Sequence, residues 1–210
     1  CEVSFINVGQ GDCCLIRKGT TSILVDTGGS IYKDIARDNL IPYLKKKQIY
    51  DIDYIFITHD DLDHSGALDS LCKNFKVKNV IREHSFFPIC ISGITFYDVN
   101  SYQSDDKNDG SINLYFNFLK KDFLLMGDSS IKVEKHIMKQ YKELDCDVIK
   151  IGHHGSDTST SDEFIKFVSP EVAIISVGKN NYGHPDESVL KILEKNNVTI
   201  KRTDEMGTIT

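Results

Sequence analysis

The residues of this chain best suited to chemistry are histidines and aspartates that follow apolar stretches. The densest group, THDDLDHSG at positions 58–66, contains two histidines and three aspartates. Imidazole nitrogen and carboxylate oxygen are ligands that divalent first-row metals accept. Without cations, carboxylates so close together would repel one another. The segment therefore predicts a metal site with His59, Asp61, Asp63 and His64 as candidate ligands.

A simpler explanation covers part of this segment. Asp61 or Asp63 could cap the helix predicted for Ala67–Phe75, because a carboxylate accepts hydrogen bonds from the free N–H groups at a helix start. Capping accounts for one aspartate but makes no demand for two histidines. A metal site accounts for the whole cluster.

Two further segments place similar side chains after predicted strands. Asp128 follows the apolar stretch Phe123–Met126 and a glycine, which suits either a bridging metal ligand or the N-cap of the next helix. His153 and His154 follow the predicted strand Val148–Ile151. Because neighbouring side chains of an extended chain point to opposite sides, we expect one histidine to bind metal and the other to contact substrate. Either histidine fits either role.

Other polar residues are candidates for contacts around the metals. Ser156 begins a run of hydroxyl-bearing residues suited to holding an oxyanion. His184 lies in a loop after the predicted strand Val172–Val177, where it is either a solvated side chain or part of the rim of the site. Asp26 is expected either to orient a metal ligand or to form part of a turn.

These segments must be positioned by a chain of mixed α and β character. The first stretch alternates turns with the apolar runs Val3–Val8, Cys13–Arg17 and Ser22–Asp26, which predicts an antiparallel meander. Helical spacing over Tyr32–Lys47 precedes the strand Ile52–Thr58, which is apolar enough to be covered on both faces.

The rest of the chain alternates strands with helices. Strands are predicted at Val77–Arg82, Ile94–Val99, Ser111–Phe118, Phe123–Met126, Val148–Ile151, Val172–Val177 and Val198–Lys201, and helices at Ile131–Leu144, Asp162–Phe167 and Glu187–Lys195. This order implies two sheets packed on each other, with helices on their outer faces. The length of 210 residues suits a single domain, 1–210. Because the chain starts at Cys1 within a predicted strand, we expect this domain to be excised from a longer chain.

Composition narrows the classes of function. With 40% apolar and 27% charged residues, the chain is typical of a soluble globular protein, and its apolar stretches are far shorter than the ~20 residues of a membrane span. A net charge of −6 argues against a surface that coats nucleic acid, although it permits a local basic groove. The six cysteines lack C-x-x-C spacing, so we expect them to be reduced and mostly buried.

The motifs together resemble those of the metallo-β-lactamase superfamily. Its H-x-H-x-D-H motif is matched at positions 59–64, with Asp61 in place of the second histidine. The segment ILVDTG at 23–28, the Gly127-Asp128 pair and the HHGS turn at 153–156 extend the resemblance. It implies an α+β, four-layer αββα sandwich with two divalent metal ions, Zn²⁺ or Mn²⁺, at one edge between the sheets.

The resemblance also implies roles for individual residues. The implied ligands are His59 and Asp61 for one metal, Asp63 and His64 for the other, Asp128 as the bridge, and His153 or His154 as a further ligand. Many relatives have another metal histidine within Asn108–Asn113, but this chain has none. The first site is thus poor in nitrogen, which favours a harder ion such as Mn²⁺. The residues expected to support ligands or contact substrate are Asp26, Asn113, Ser156 and His184.

Within the superfamily, the chain is most similar to the hydrolase domain of ComEC-type DNA-uptake (competence) proteins and their free-standing relatives. The resemblance rests on NVGQGD at 7–12, HDDLDH at 59–64, NDGSI at 108–112, HHGS at 153–156, YGHP at 182–185 and RTD at 202–204. It implies a phosphodiesterase or nuclease that cleaves DNA through a metal-activated water. The residues expected to act in catalysis are Asp63, Asp128, His154 and His184.

Two other functions fit the same residues. One is the hydrolysis of a small ester or choline-type phosphodiester, as in the phosphorylcholine esterase branch. The other is a non-catalytic metal-binding domain. A DNA-uptake protein would supply a membrane-channel domain, in the same or a partner chain, and would be membrane-associated, whereas a free-standing relative would be cytoplasmic or secreted.

Overall fold

The computed structural model describes residues 1–210 and contains two β-sheets. The first has the spatial order β1 (Glu2–Phe5), β2 (Cys14–Lys18), β3 (Thr21–Val25), β4 (Asp51–Phe56) and β5 (Lys76–Ile81). Strands β1 to β3 are antiparallel, which confirms the predicted meander, and β3 to β5 are parallel. Strand β1 ends at Phe5 rather than Val8, because the backbone N–H of Asn7 donates to the Thr208 hydroxyl.

The second sheet combines a parallel and an antiparallel half. Its spatial order is β12 (Thr199–Arg202), β11 (Val172–Ile175), β10 (Val148–Lys150), β9 (Lys121–Leu125), β8 (Leu114–Phe118), β7 (Ile94–Asp98) and β6 (Ile89–Ile91). Strands β9 to β12 are parallel and β6 to β9 antiparallel. The short edge strand β6 is not among the predicted strands.

Helices connect the strands and cover the sheets. They are α1 (Ile41–Lys46), preceded by a π-helical turn (Ala36–Leu40), α2 (Leu62–Ser65), α3 (Leu68–Asn74), α4 (Ile131–Gln140), α5 (Asp162–Val168), α6 (Glu187–Lys195) and α7 (Thr203–Met206). Ser130, Ser161 and Asp186 cap α4, α5 and α6 by accepting hydrogen bonds from first-turn amides. No helix is both long enough and apolar enough to span a membrane.

The core consists of three apolar layers. The central layer lies between the sheets and contains the edge-packed ring pair Phe56–Phe96, with Phe116 beside it. The second layer lies between the first sheet and the helices from α1 to α3, and the third lies between the second sheet and helices α4 to α6. This order of layers is the predicted four-layer αββα sandwich.

The cysteines follow the prediction only in part, and none forms a disulfide. Cys13 packs in the layer under the helices and Cys14 in the layer between the sheets, so these neighbours face opposite sides. The expectation that most cysteines are buried is wrong for Cys1, Cys72 and Cys90, which are exposed because they lie at the chain terminus, on a helix surface and on an edge strand.

Candidate metal centre

The candidate ligands follow the carboxyl ends of parallel strands in both sheets. Strand β4 leads to His59 and, through α2, to His64, while β9 leads to Asp128 and β10 to His153 and His154. Parallel strands have their carboxyl ends at the same edge of a sheet. The side chains therefore meet at one edge of the sandwich, between the two sheets.

Asp128 lies at the centre of this cluster. Its Oδ2 atom lies 3.8 Å from the Nε2 atoms of His59, His153 and His154, and its Oδ1 atom lies 3.0 Å from Nε2 of His64. Asp128, His59, His64 and His154 are buried, whereas 29% of the His153 side chain is exposed. A carboxylate whose two oxygens face imidazole nitrogens in this way has the arrangement of a bridging metal ligand.

Three buried atoms of the cluster have no hydrogen-bond partner: Nε2 of His59, Nε2 of His64 and Oδ1 of Asp128. The last two lie 3.0 Å apart but are not aligned for a hydrogen bond. Buried polar atoms are normally bonded, so three in one place need an explanation. Nitrogen and oxygen donors of this kind suit a divalent cation, and the residues therefore fit the metal predicted from the sequence.

Two aspartates extend the cluster on its solvent side. Asp61 Oδ2 lies 3.9 Å from Nε2 of His59, and Asp63 Oδ2 lies 3.1 Å from Nε2 of His154. Their side chains are 39% and 33% exposed, respectively. The predicted ligands thus form two groups, one around His59 and Asp61 and the other around Asp63 and His154, with Asp128 between them.

The two adjacent histidines were predicted to lie on an extended chain, and this prediction is wrong. His153 and His154 have φ angles of 48° and 54°, so the backbone coils in the left-handed region and both Nε2 atoms face Asp128. The buried His154 donates from Nδ1 to the Ser176 carbonyl at 2.8 Å, and its Nε2, the atom that would bind metal, lies 3.1 Å from Asp63 Oδ2. His153 Nδ1 lies 3.4 Å from the Thr158 hydroxyl, and His153 can serve either metal or substrate.

Asp26 forms a hydrogen bond with the candidate ligand His64. Its carboxylate accepts hydrogen bonds from His64 Nδ1 at 2.8 Å and from the backbone N–H and hydroxyl of Thr58 at 2.8 and 2.7 Å. A proton held on Nδ1 keeps Nε2 of His64, the atom that would bind metal, directed toward Asp128. The structure therefore places Asp26 where it orients a ligand, although its φ of 60° also makes it a turn residue.

Charge and burial shift the pKa values within the cluster. Burial opposes protonation of His154, but the surrounding carboxylates, with Asp128 foremost, outweigh it and raise its pKa to about 9. The pKa of His64 is raised well above its usual value for the same reason, whereas burial and His64 lower the pKa of His59. In the metal-free protein, protons on His64 and His154 therefore balance the carboxylates, and a cation would compete with those protons.

Two residues predicted to support ligands or contact substrate are buried and hydrogen-bonded within the protein. Asn113 is fully buried, and its amide donates to the Met126 carbonyl at 2.6 Å and the Ser129 hydroxyl at 2.9 Å. It fixes the turn that carries Asp128, the candidate bridging ligand. Ser156 is likewise buried, and its hydroxyl contacts Thr158 at 3.0 Å rather than an open oxyanion site. Asn113 thus supports a candidate ligand, which is one of the two roles predicted for it, and the Ser156 hydroxyl is bonded within the turn that follows His153 and His154.

His184 lies at the rim of the cluster. Its ring centroid lies 5.5 Å from that of His153 and 5.8 Å from that of Tyr182, which is 76% exposed. The loop is held by Asn180, whose side chain accepts from the His184 N–H at 3.1 Å and donates to its carbonyl at 2.8 Å. The structure thus places His184 beside the cluster instead of free in solvent.

Two polar clefts open next to the cluster. One, of about 320 Å³, is lined by His59 and the other, of about 380 Å³, by Asp128 and His153. Their basic side chains each lie near a carboxylate: Arg82 pairs with Asp60, Lys107 lies 3.5 Å from Asp61, and Lys132 lies 4.0 Å from Asp109. The clefts therefore carry isolated positive charges and no continuous basic groove.

The sequence analysis missed three residues that support the cluster. The Ser111 hydroxyl lies 3.3 Å from Nδ1 of His59. The buried Asp12 lies 3.8 Å from Nδ1 of His64 and 3.4 Å from Nδ1 of His154, and it forms an ion pair with Lys150. The available signals were the motifs NVGQGD and NDGSI, which contain Asp12 and Ser111, and a lysine within an otherwise apolar predicted strand, where a charge has to find a buried partner.

Comparison with known proteins agrees with this fold. The sequence profile of the metallo-β-lactamase superfamily matches residues 6–90. The metallo-β-lactamase fold protein YhfI from Bacillus subtilis superposes with a TM-score of 0.65 at 10% identity, covering 99% of this chain and 98% of that one. A diphosphatase from the PhnP family superposes with a TM-score of 0.59 at 12% identity, covering 100% and 98%. At such identities the two structures show a shared fold.

Fold, ligand cluster and sequence profile together identify the chain as a metallo-β-lactamase domain, of a superfamily whose members are typically metal-dependent hydrolases. Its relatives include ComE operon protein 3 of Bacillus subtilis, 31% identical over 99% of this chain and 32% of that protein. Recombination protein 2 of Haemophilus influenzae is 29% identical over 99% and 28%, and competence protein ComA of Neisseria gonorrhoeae 27% identical over 99% and 31%. The chain thus spans about a third of the length of these relatives.

Proposed function

We propose that the chain is a metal-dependent phosphodiesterase that cleaves nucleic acid, with single-stranded DNA as its substrate. The observation that carries the proposal is the convergence of four imidazole Nε2 atoms on the buried carboxylate of Asp128. The choice of DNA is supported by similarity over the whole chain to proteins named for competence and recombination.

The residues of the cluster would have different roles in this reaction. Two divalent cations, when bound, would lower the pKa of a water and offset the charge that develops on a phosphate. Asp128 would hold both cations, and Asp26 keeps His64 turned so that Nε2 faces inward. His153 and Thr158 line the larger cleft, where a phosphate oxygen can accept hydrogen bonds from them. His184 would contact the substrate from the rim.

The volumes of the two clefts indicate the size of the ligand that each can hold. At about 320 and 380 Å³ each is at the small end of the range for ligand pockets, so each suits one small unit such as a nucleotide. The exposed ring of Tyr182 next to His184 offers a surface for a base to stack on. Isolated positive charges suit a few phosphates of a single strand better than the two backbones of a duplex.

The direct test is cleavage of single-stranded DNA by metal-free protein reloaded with Mn²⁺, Zn²⁺ or Mg²⁺. We expect Mn²⁺-dependent cleavage that Asp128→Ala abolishes. Asp145→Ala is the matched control, because Asp145 is exposed and bonds to Tyr115 through its backbone carbonyl only. An absence of cleavage by the wild type with all three metals would refute the proposal.

A second candidate is the hydrolysis of a small ester or phosphodiester. It is favoured by the carboxylate beside each basic side chain of the clefts and by the net charge of −6, both of which oppose binding of a polyanion. Turnover of a chromogenic phosphodiester without cleavage of DNA would support this candidate. A chain that binds no more than one cation and hydrolyses neither substrate would be a non-catalytic binding domain.

A further inference from the structure

Lys150 brings a positive charge into the core beneath the ligand cluster. It is the last residue of β10 and only 3% exposed. Its Nζ forms an ion pair with Asp12 and donates to the Gly127 carbonyl at 3.1 Å. Removing an ammonium from water opposes folding, and an apolar side chain of similar length would often be as stable in such a place. Stability alone therefore does not explain this pair.

The pair contacts all three turns that carry metal ligands. Lys150 bonds to the carbonyl of Gly127, the residue before the bridging aspartate. The backbone N–H of Asp12 donates to the Asp63 carbonyl at 3.0 Å, at the start of α2. The Asp12 carboxylate lies 3.4 Å from Nδ1 of His154. These turns follow strands of two different sheets, and Asp12 and Lys150 together contact all three.

Asp12, His64 and His154 lie close enough together to suggest a metal site of their own. However, Nδ1 of His64 already donates to Asp26, and Nδ1 of His154 already donates to the Ser176 carbonyl. The ammonium beside Asp12 also occupies the position that a cation would need. This group of atoms therefore lies behind the ligands and does not form a separate site.

We infer that the Asp12–Lys150 pair is a positioning device for the metal centre. Lys150 fixes the carbonyl of Gly127, and with it the side chain of Asp128 between the two groups of ligands. Asp12 fixes the start of α2 and balances the ammonium. The inference rests on the metal centre of the proposed function but is independent of the substrate.

The test is the affinity of the protein for Mn²⁺, measured by titration calorimetry on metal-free protein together with the bound metal content. Lys150→Met keeps the length of the side chain and removes its charge. We expect Mn²⁺ affinity to fall at least about tenfold, the usual effect of losing a group that orients metal ligands. Lys121→Met is the control, because this half-exposed lysine pairs with Asp147 and Glu171 away from the cluster and should bind Mn²⁺ like the wild type.

A double variant separates positioning from stability. Lys150→Met leaves the buried carboxylate of Asp12 unpaired, so we expect a lower melting temperature. Asp12→Asn combined with Lys150→Met also removes the carboxylate charge, so the melting temperature should return toward that of the wild type. We expect Mn²⁺ affinity to stay low in the double variant. Wild-type affinity and metal content in either folded variant would overturn the inference. Failure of the wild type to bind two cations would instead refute the proposed function.

Discussion

Asp61 stands where the superfamily motif has its second histidine, and this single residue affects the choice of metal. A carboxylate oxygen suits Mn²⁺, whereas imidazole suits Zn²⁺. Because 39% of the side chain is exposed, an imidazole ring can be accommodated at this position. The neighbouring Asp60 points to Arg82 and supplies a matched site for comparison.

Asp61→His is predicted to raise the affinity for Zn²⁺ relative to Mn²⁺ by about tenfold, because it adds a nitrogen donor next to His59. Competition between the two metals, followed by metal analysis of the desalted protein, measures the ratio. Asp60→His should leave the ratio unchanged. An equal ratio in the wild type and Asp61→His would mean that residue 61 does not bind metal.

The affinity for metal is also predicted to depend on pH, and differently at the two sites. In the metal-free protein His154 has a pKa of about 9, so at neutral pH a cation has to displace its proton. Affinity at the Asp63–His154 site should therefore increase as the pH rises toward about 9. His59, whose pKa is lowered from 6.5, is already neutral at neutral pH, so its site should change little there.

Calorimetry in two buffers of different ionisation enthalpy counts the protons that each cation releases. One binding step should release protons at neutral pH and the other should release almost none. Release of no protons in either step would contradict the assignment of His154 as a ligand.

At the residue scale, the sequence predicted the candidate ligands better than it predicted the residues that hold those ligands in place. The ligands at positions 59–64 are close in sequence, so spacing alone indicated a shared site. Asp12 and Lys150 meet only because two sheets pack together, and no local pattern indicates that contact. The left-handed backbone at His153 and His154 could not be predicted either, because it depends on where the rings find partners.

At the scale of elements, turns and not strands set the geometry of the site. The turn before β2 lies against α2, where a Cβ atom on Gly11 would clash with the backbone carbonyl of Asp63. Gly9, in the same turn, also has a positive φ but has open space around the position of a Cβ atom. Substitutions at Gly9 and Gly11 therefore distinguish the effect of backbone strain alone from the effect of displacing a ligand.

Gly9→Ala is predicted to destabilise the protein by about 1–2 kcal/mol through its left-handed backbone and to bind metal normally. Gly11→Ala should lose at least about 1 kcal/mol more from the clash, and its Mn²⁺ affinity should fall because Asp63 moves. Thermal unfolding and calorimetry measure both effects. Equal metal affinity in the two variants would show that this turn does not position α2.

Most elements were predictable because their apolar patterns are strong, as for α6, whose bounds match the prediction. The strand predicted to start at Ser111 starts instead at Leu114. The physical reason is tertiary, because the Ile112 N–H donates at 2.9 Å to the carbonyl of Thr58, which follows β4 of the other sheet. Such a bond takes the backbone of these residues out of the pairing between strands, and nothing in their own sequence indicates it.

At the scale of the molecule, net charge and the isolated basic residues of the clefts bear on how DNA would bind. Arg82, Lys107 and Lys132 are the basic side chains of the two clefts. Three phosphate contacts on a single strand correspond to a slope of about −2 in a plot of log affinity against log salt concentration. Fluorescence anisotropy across a salt series measures that slope. A much steeper slope would require a basic surface elsewhere on the protein.

The fold of the whole chain followed from the order of its elements, since strands and helices alternate as an αββα sandwich requires. The substrate could not be predicted from the order of the elements in the same way. Related folds carry different chemistries, and the site's loops rather than its sheets decide among them.

The central claim is that two cations share Asp128. Anomalous diffraction at the manganese edge, on crystals grown with Mn²⁺, tests it most directly. We expect two peaks, one on each side of the Asp128 carboxylate, with His59 and Asp61 next to one and Asp63, His64 and His154 next to the other. A single peak, or peaks away from Asp128, would contradict it.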